Sequence, residues 1–590
     1  MNYLSASRMV TYRNACLLAL VATTIMTATR CTCGEEQWKG NQFDLSEDIG
    51  IDDAQSEALD DTGADDVDAF VPLTLQLEGT ARQDLNEDNE PASVLTFDFR
   101  CLPECDFSEC LLAFEEDFEQ SIDECESPLE KVVYQEGTWT FSVVAEYGEQ
   151  RQEASVTVTT SLRPFISHWD TSGGHFGNPS PESQQISLPL VDDGDYNFLV
   201  EWGDGTSDVI TEWDQPAVTH TYPEVGEYTV VIYGRIDGWL FAGQGDRRKI
   251  LELRQWGPLR LGQHDGGYFR EATVLDLTAE DAPDLSGTTT MARAFENCCR
   301  GGVISGELNH WDVSNITDMH AMFRGVSYLD ADINDWDVSN VEDMSQMFSD
   351  PHFNTSEVNV DISGWDVSNL VNAEEMFAFA ESFDRDLSNW DTSSLQNMRN
   401  MFLGAQQFSA DLSEWDVSNV TDMRGLFTST SISGGLDEWD VSSVTEMGFL
   451  FYRTDFRGDI SKWDVSNVET MTEMFHGATE FNADISGWDV SNVEDMRAMF
   501  GEASSFDRDL SDWKIHSVAD MEAMFYDSDL SDENYDSMLI SWSTQNVQSD
   551  VLFSAGSAVP TSISGEQARD FLVYEQGWTI EDGEGVHNSD

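Results

Sequence analysis

The sequence predicts a multidomain protein in which two β-sandwich modules are followed by an α/β repeat solenoid. Residues 71–162 and 163–261 contain short alternating, β-branched and aromatic segments, as sandwich strands do. Residues 262–545 repeat every 24 to 25 residues, with one interval of 29, and such periods are typical of solenoids. The tryptophans that mark the repeat are Trp311, Trp336, Trp365, Trp390, Trp415, Trp439, Trp463, Trp488 and Trp513.

Residues 1–33 are predicted to be an export signal. Arg8 and Arg13 give a positive start, and an uncharged apolar run at 15–29 is shorter than a membrane-spanning helix requires. Cys31 follows this run, so lipidation at Cys31 is an alternative to plain secretion, although the preceding Arg30 fits a lipidation motif badly. We therefore expect a secreted protein or one on a bacterial cell surface, where the lipidated form would be an outer-membrane lipoprotein.

The charge of the chain restricts its partners. It contains 112 acidic and 29 basic residues, a formal net charge of -83. Nucleic acid is excluded as an expected partner, because its phosphates would be repelled. The acidic residues 34–70 contain few large apolar side chains, so we predict a disordered linker there.

Cysteine usage agrees with export. Four cysteines cluster in the first predicted β module: Cys101, Cys105, Cys110 and Cys125. In an oxidising compartment they predict two disulfides with three connectivities open, and a metal site is the alternative. Cys298 and Cys299 are adjacent, and the sequence leaves open whether they are buried thiols or a bonded pair.

Both β modules resemble families of bacterial surface modules. The first contains the residues Cys110, Phe118, Cys125, Ser127, Pro128, Gly137, Thr140, Phe141, Val143 and Ala145, and with them it resembles Ig-like modules. In the second, the segments WGDGT at 202–206 and HTY at 220–222 resemble a PKD domain. The resemblances imply spacer or adhesion modules, in which Asp204 and His220 have a structural role.

Each repeat unit is predicted to contain one short helix and one short strand. In the unit of Trp488, Val493, Met496, Met499 and Phe500 have the spacing of one helix face. Asn492 would cap this helix, with Asp495 in its first turn. A unit of this size cannot bury its own apolar face, so stacked units must share one core.

The segments WDVSNVTDM at 415–423 and WDVSNVEDM at 488–496 resemble the repeats of BspA-type bacterial surface proteins. The same repeats occur in mycoplasma-type lipoproteins and are treated as divergent leucine-rich repeats. The resemblance covers residues 279–542. It implies a secreted or surface protein that binds an extracellular protein or a glycan.

An aspartate follows the tryptophan in most units. These residues are Asp312, Asp337, Asp366, Asp391, Asp416, Asp440, Asp464 and Asp489. Stacked carboxylates must be hydrogen-bonded or bridged by cations. Two interpretations follow: each aspartate caps a backbone turn, or the column binds calcium, the one cofactor that the sequence suggests.

The sequence contains no HExxH, GxSxG, P-loop or Rossmann pattern, so we expect a protein that is not an enzyme. The leading hypothesis is a binding or adhesion protein, and the alternative is a structural coat or spacer. A glycan-acting enzyme is a weaker third, since no carboxylate pair stands out. Residues 546–590 are predicted to form a C-terminal cap and tail, with a strand at 571–580.

Overall fold

The computed structural model describes the residues 74–85, 89, 91–102, 106–114, 118–121, 129–133, 137–147, 150–160, 162–172, 184–299, 303–305, 308–329, 331–352 and 358–589. They belong to one compact part of the chain, Val71–Asp590. The predicted signal segment, Cys31 and the acidic linker lie outside the described residues. So do Cys105 and Cys125, and the side chains of Cys101 and Cys110, so the proposed disulfides stay a prediction.

The predicted fold class is wrong. The regular elements of the described residues are mostly β-strands, in separate sheets of two to seven strands. They contain two α-helices, α1 (Asp532–Trp542) and α2 (Ile563–Gln576), and both follow the last full repeat unit. Since no described residue of a repeat unit is α-helical, the structure does not support an α/β repeat solenoid.

The first two sheets are antiparallel. Their strands are β1 (Thr74–Leu85), β2 (Pro91–Leu102), β3 (Asp106–Phe114), β4 (Phe118–Ser121), β5 (Leu129–Val133), β6 (Gly137–Tyr147) and β7 (Gln150–Thr160). One sheet has the order β1-β2-β5 and the other the order β4-β3-β6-β7. Strand β6 pairs with β7 over its whole length, from Gly137↔Thr160 to Tyr147↔Gln150.

A seven-stranded sheet follows. Its region contains β8 (Phe165–Asp170), β9 (Gln185–Ser187), β10 (Asp195–Glu201), β11 (Ser207–Ile210), a 3-10 helix (Pro216–Val218), β12 (Thr219–Thr221), β13 (Glu227–Asp237), β14 (Ile250–Gln255), β15 (Leu259–Arg260) and β16 (Asp276–Leu277). The order is β11-β10-β13-β8-β14-β16, with β15 beside β13 and a separate pair β12-β9. Leu277 of β16 bridges Ile304 in parallel, and Ile304 bridges Leu329, so the sheet continues into the repeats.

The repeats form what we call the repeat stack, residues 265–530. In the segment that begins at the first methionine, every second backbone N–H donates to the next unit in place of helical bonding. Met319 N donates to Asp343 O at 2.9 Å and Ala321 N to Ser345 O at 2.7 Å, while Met322 N closes a tight turn to Met319 O. Successive units therefore join as a parallel ladder rather than as packed helices.

The tight turns require residues in the left-handed region. Two positions after the first methionine of a unit the φ angle is positive: 51° at Ala321, 53° at Glu473 and 49° at Ala498. A right-handed helix cannot continue through such a residue. Asn492, the predicted cap, instead donates its Nδ2 to Ser466 O of the preceding unit at 2.7 Å.

Like residues stack on like residues inside the repeat stack. The rings of Phe451, Phe475 and Phe500 are buried and follow one another at 5.6 and 5.7 Å between centroids. Trp463 and Trp488 stack at 6.5 Å, and Trp488 Nε1 donates to Ile460 O. The tryptophans are therefore core residues that also bridge neighbouring units by hydrogen bonds.

The C-terminal end closes the stack with a mixed sheet. Its strands are β17 (Asp520–Met521), β18 (Leu552–Ser554), β19 (Thr579–Asp582) and β20 (Gly585–His587), in that order. Ser531 and Ser562 cap α1 and α2, and Gly577 ends α2 with a φ of 77°. The predicted strand at 571–580 was wrong for its first part, since α2 runs to Gln576.

Candidate functional site

The predicted aspartate column has a uniform local geometry. Asp416 Oδ1 accepts hydrogen bonds from Ser418 N at 3.0 Å and from Ser418 Oγ at 2.6 Å. The backbone N–H two residues further on is bound in the same way by Asp312, Asp337, Asp366, Asp391, Asp440, Asp464 and Asp489. The serine hydrogen bonds lower the pKa of Asp391 and of Asp489. Each carboxylate thus caps a turn of its own unit, and calcium binding by the column stays a prediction.

The structure brings Asp204 and His220 together as the sequence suggested. Asp204 Oδ2 lies 2.9 Å from His220 Nε2, and its Oδ1 accepts from the Thr206 amide and hydroxyl. The imidazole stacks on the Trp202 ring at 4.8 Å between centroids. These contacts hold the β10–β11 hairpin against β12, which is a structural task.

One three-residue group in the described part of the chain has the spacing of metal ligands: Asp582, Glu584 and His587. A guanidinium already occupies it. Arg569 Nη1 lies 3.0 Å from Asp582 Oδ2 and 2.8 Å from Glu584 Oε2. Burial lowers the pKa of Arg569, but its bonds to the two carboxylates outweigh this and raise it. The permanent cation makes the group a structural ion network and a poor metal site.

The variable side chains of the stack project from what we call the lateral face. It consists of the residues one, two, five and six positions after the first methionine of each unit, or after Asp265 and Ala373, which stand in the place of that methionine. The fifth position is occupied by Arg270, Glu296, Arg324, Ser349, Ala378, Leu403, Thr428, Tyr452, His476, Gly501 and Tyr526. Because one backbone geometry accommodates all of them, the fold does not dictate which residue stands there.

An aromatic cluster lies on this face. Phe449, with 38% of its surface exposed, lies 5.9 Å from the Tyr452 ring. Tyr452 stacks on His476 of the next unit at 5.2 Å, and the Arg453 guanidinium lies 5.2 Å from the Tyr452 centroid. Phe449 has a φ of 60°, a left-handed conformation that is unusual for a bulky residue. We call Phe449, Tyr452, Arg453 and His476 the aromatic cluster.

Sequence reasoning missed the aromatic cluster. Its signal was present as a departure from the repeat: the units of Trp415 and Trp463 have Gly425 and Glu473 where the unit of Trp439 has Phe449. Periodicity had drawn attention to the repeated residues, and those are buried.

An arginine cluster lies at the start of the lateral face. The Glu296 side chain, 5% exposed, contacts Arg270 Nε at 2.7 Å, Arg324 Nη1 at 2.9 Å and Arg293 Nε at 3.8 Å. Glu271 lies on the preceding turn and is contacted from the loop before β14, where Arg247 donates to Glu271 Oε2 at 2.7 Å and Arg248 lies 3.7 Å from the same oxygen. The hydrogen bonds from Arg247 lower the pKa of Glu271. We call these five arginines and two glutamates the arginine cluster.

Cys298 and Cys299 form a disulfide between neighbouring residues, and both are buried in the core of the stack. The structure thus has the bonded pair, one of the two alternatives that the sequence left open. No helix in the described ranges is long and apolar enough to cross a membrane.

A family model described as "Mycoplasma protein of unknown function, DUF285" matches residues 289–356, 351–434 and 428–538. The three matches follow one another along the repeat stack and cover less than half of the chain. The repeats are thus similar to those of a mycoplasma protein family. No curated protein and no solved structure matches the chain.

Proposed function

We propose that the protein is a secreted or surface-anchored, non-enzymatic binding protein that presents the repeat stack to an extracellular protein or glycan. The aromatic cluster carries this proposal. Phe449 and Arg453 are exposed and Tyr452 is half-buried, and aromatic residues beside an arginine are typical of binding hot spots. At the position of Phe449 the other units have arginine, alanine, glutamine, glutamate, asparagine or glycine, so the fold itself does not need an aromatic ring there.

The positive φ of Phe449 belongs to the turn that the units share, because Ala321, Glu473 and Ala498 have it at the same position. The backbone therefore does not need an aromatic ring there, and glycine would adopt this conformation more easily. The resemblance of residues 71–261 to Ig-like and PKD modules adds to the proposal, since spacer modules would hold the stack away from a cell surface. A lipid at Cys31 would be one anchor.

The test begins with the full chain on arrays of glycans and extracellular proteins. Affinity for the ligand found is then measured for Phe449→Gly and Tyr452→Ala, and we expect each to lose about tenfold or more. Folding stability of Phe449→Gly should be unchanged or raised by up to about 1 kcal/mol, because glycine relieves the left-handed strain.

Ala523→Gly is the matched control. Ala523 occupies the equivalent position with a φ of 56° and has no aromatic ring, so this variant should bind as the natural chain does. A ligand that both cluster variants bind at full strength would show that the cluster is not the site. Arrays without any ligand would favour a structural coat.

A further inference from the structure

We infer that the arginine cluster binds an acidic oligosaccharide, one that carries carboxylate or sulfate groups along a linear chain. This goes beyond the proposed function: it concerns another part of the lateral face and holds whether or not the aromatic cluster binds a ligand.

The first argument is local charge. Glu296 is neutralised by one cation, yet three arginines surround it; Glu271 has two arginines. The cluster therefore has a surplus of positive charge on a chain whose net charge is -83. At physiological ionic strength the screening length is about 8 Å, so distant acidic residues cancel little of this surplus.

The second argument is access. Arg248 and Arg293 are 57% and 47% exposed, while the buried Glu296 is already held by Arg270 and Arg324. Guanidinium groups bind carboxylate and sulfate oxygens through paired N–H donors in one plane. Arg293 also donates its Nε to His320 Nε2 at 3.2 Å, so Arg293 offers a ligand its two terminal Nη groups, beside Arg248. The less exposed arginines keep the buried carboxylate paired.

The third argument is shape. Arg270, Arg293 and Arg324 lie on three successive turns, because Glu271 N donates to Glu296 O and Asn297 N donates to Arg324 O. Arg247 and Arg248 extend the row from the loop before β14. The cationic surface is therefore a line along the stack, which fits a linear polymer with repeated charges. The two positions that correspond to Phe449 on neighbouring turns are Gly267 and Ala321, so the line offers no aromatic anchor for peptide side chains.

The later arginines of the lateral face provide a contrast within the same chain. Arg399 lies 3.5 Å from Glu374, and Arg497 lies 3.3 Å from Glu473. Each has a carboxylate partner, and their exposures of 43% and 42% are close to that of Arg293. They match the cluster in residue type and accessibility without its surplus charge.

The experiment measures binding of the full chain to a sulfated oligosaccharide, to an oligouronate and to a neutral oligosaccharide of equal length. Binding is followed by calorimetry at low and at physiological ionic strength. We expect one or both acidic ligands to bind, more weakly as salt rises, and the neutral one not to bind. The two acidic arms identify whether the recognised group is sulfate or carboxylate.

The double variant Arg248→Ala, Arg293→Ala should lower the affinity about tenfold or more. Its melting temperature should stay within error, because Arg247, Arg270 and Arg324 still pair with the two glutamates. The control is Arg399→Ala, Arg497→Ala, which removes the same charge from the same face and should leave the affinity unchanged.

Several outcomes would overturn the inference. One is no binding of either acidic oligosaccharide, and another is equal loss in the control, which would indicate a general charge effect. An acidic peptide or a DNA oligonucleotide of equal length that binds as tightly would show that the cluster does not select a sugar. A negative result for the arginine cluster does not change the array result for the aromatic cluster, so the two proposals are tested separately.

Discussion

The seven-stranded sheet and the repeat stack solve the same packing problem differently. In the sheet, β10 and β13 pair residue by residue from Asp195↔Asp237 to Glu201↔Val231, so each residue of one strand has a defined backbone partner on the other. In the stack, one-residue bridges such as Asp318↔Asp343 join the units, and phenylalanine packs on phenylalanine. A core residue of the sheet thus packs against neighbours of other types, whereas a core residue of the stack packs against the same type of residue in the adjacent unit.

The sharpest test of this contrast is a large-to-small change in each region. Phe475→Ala and Phe198→Ala both empty a fully buried site and should cost about 3–5 kcal/mol. The stability of the stack is approximately a sum over the interfaces between neighbouring units. Phe475→Ala weakens the contacts with Phe451 and Phe500, so the units on the two sides of Phe475 should unfold in separate transitions. Phe198→Ala should leave the stack transition in place. Calorimetry measures the unfolding transitions, and hydrogen exchange shows which region unfolds in each. Identical shifts of the transitions in both variants would refute the contrast.

A smaller effect is expected where side chains join units on the outside. Asn467 Nδ2 donates to Ser442 O at 2.7 Å, so Asn467→Ala should cost about 1 kcal/mol in urea unfolding. The chain offers a matched control: Ser394 makes the equivalent bond to Ser368 O at 2.6 Å. Asn467→Ser should therefore retain most of the stability. An equal loss of unfolding free energy in Asn467→Ala and Asn467→Ser would mean that this hydrogen bond is not the source of the stability.

The smallest effects, per residue, concern pH. Hydrogen bonds from the serine two residues on lower the pKa of Asp361 and of Asp484. A lowered folded pKa adds stability that is complete above the unfolded value of about 3.9 and is lost as pH falls through the folded value. In the sheet, burial raises the pKa of Asp237, which gives the opposite sign.

The melting temperature of the stack should therefore fall as pH drops below about 4. Asp484→Asn should weaken this dependence, because the amide does not titrate. Asp237→Asn should raise stability at neutral pH. A stack transition that is flat from neutral pH to about 3 would contradict the role assigned to the aspartates.

Several features of the stack could be predicted from the sequence: the period, the buried tryptophans and the aspartate column. The prediction of a helix was wrong because the spacing of Val493, Met496 and Phe500 fits two conformations. It fits one face of a helix, and it also fits a chain in which alternate N–H groups bond to the next unit. The deciding feature is the left-handed φ at Ala498, and alanine at that position gives no sequence signal. The arginine surplus was hidden for a similar reason, since the total charge conceals a local excess of the other sign.

The unit of Trp336 differs from the others in length. It spans 29 residues, yet the Trp336 and Trp365 rings remain stacked at 6.4 Å with 4° between their planes. The Phe348 and Phe377 rings likewise keep a separation of 5.6 Å. The ring stacking therefore depends on the order of the turns and not on the number of residues between them. The segment between Phe348 and Trp365 accommodates extra residues without loss of register. It is the place where a foreign peptide could be grafted, and where the repeat could acquire a new loop one insertion at a time.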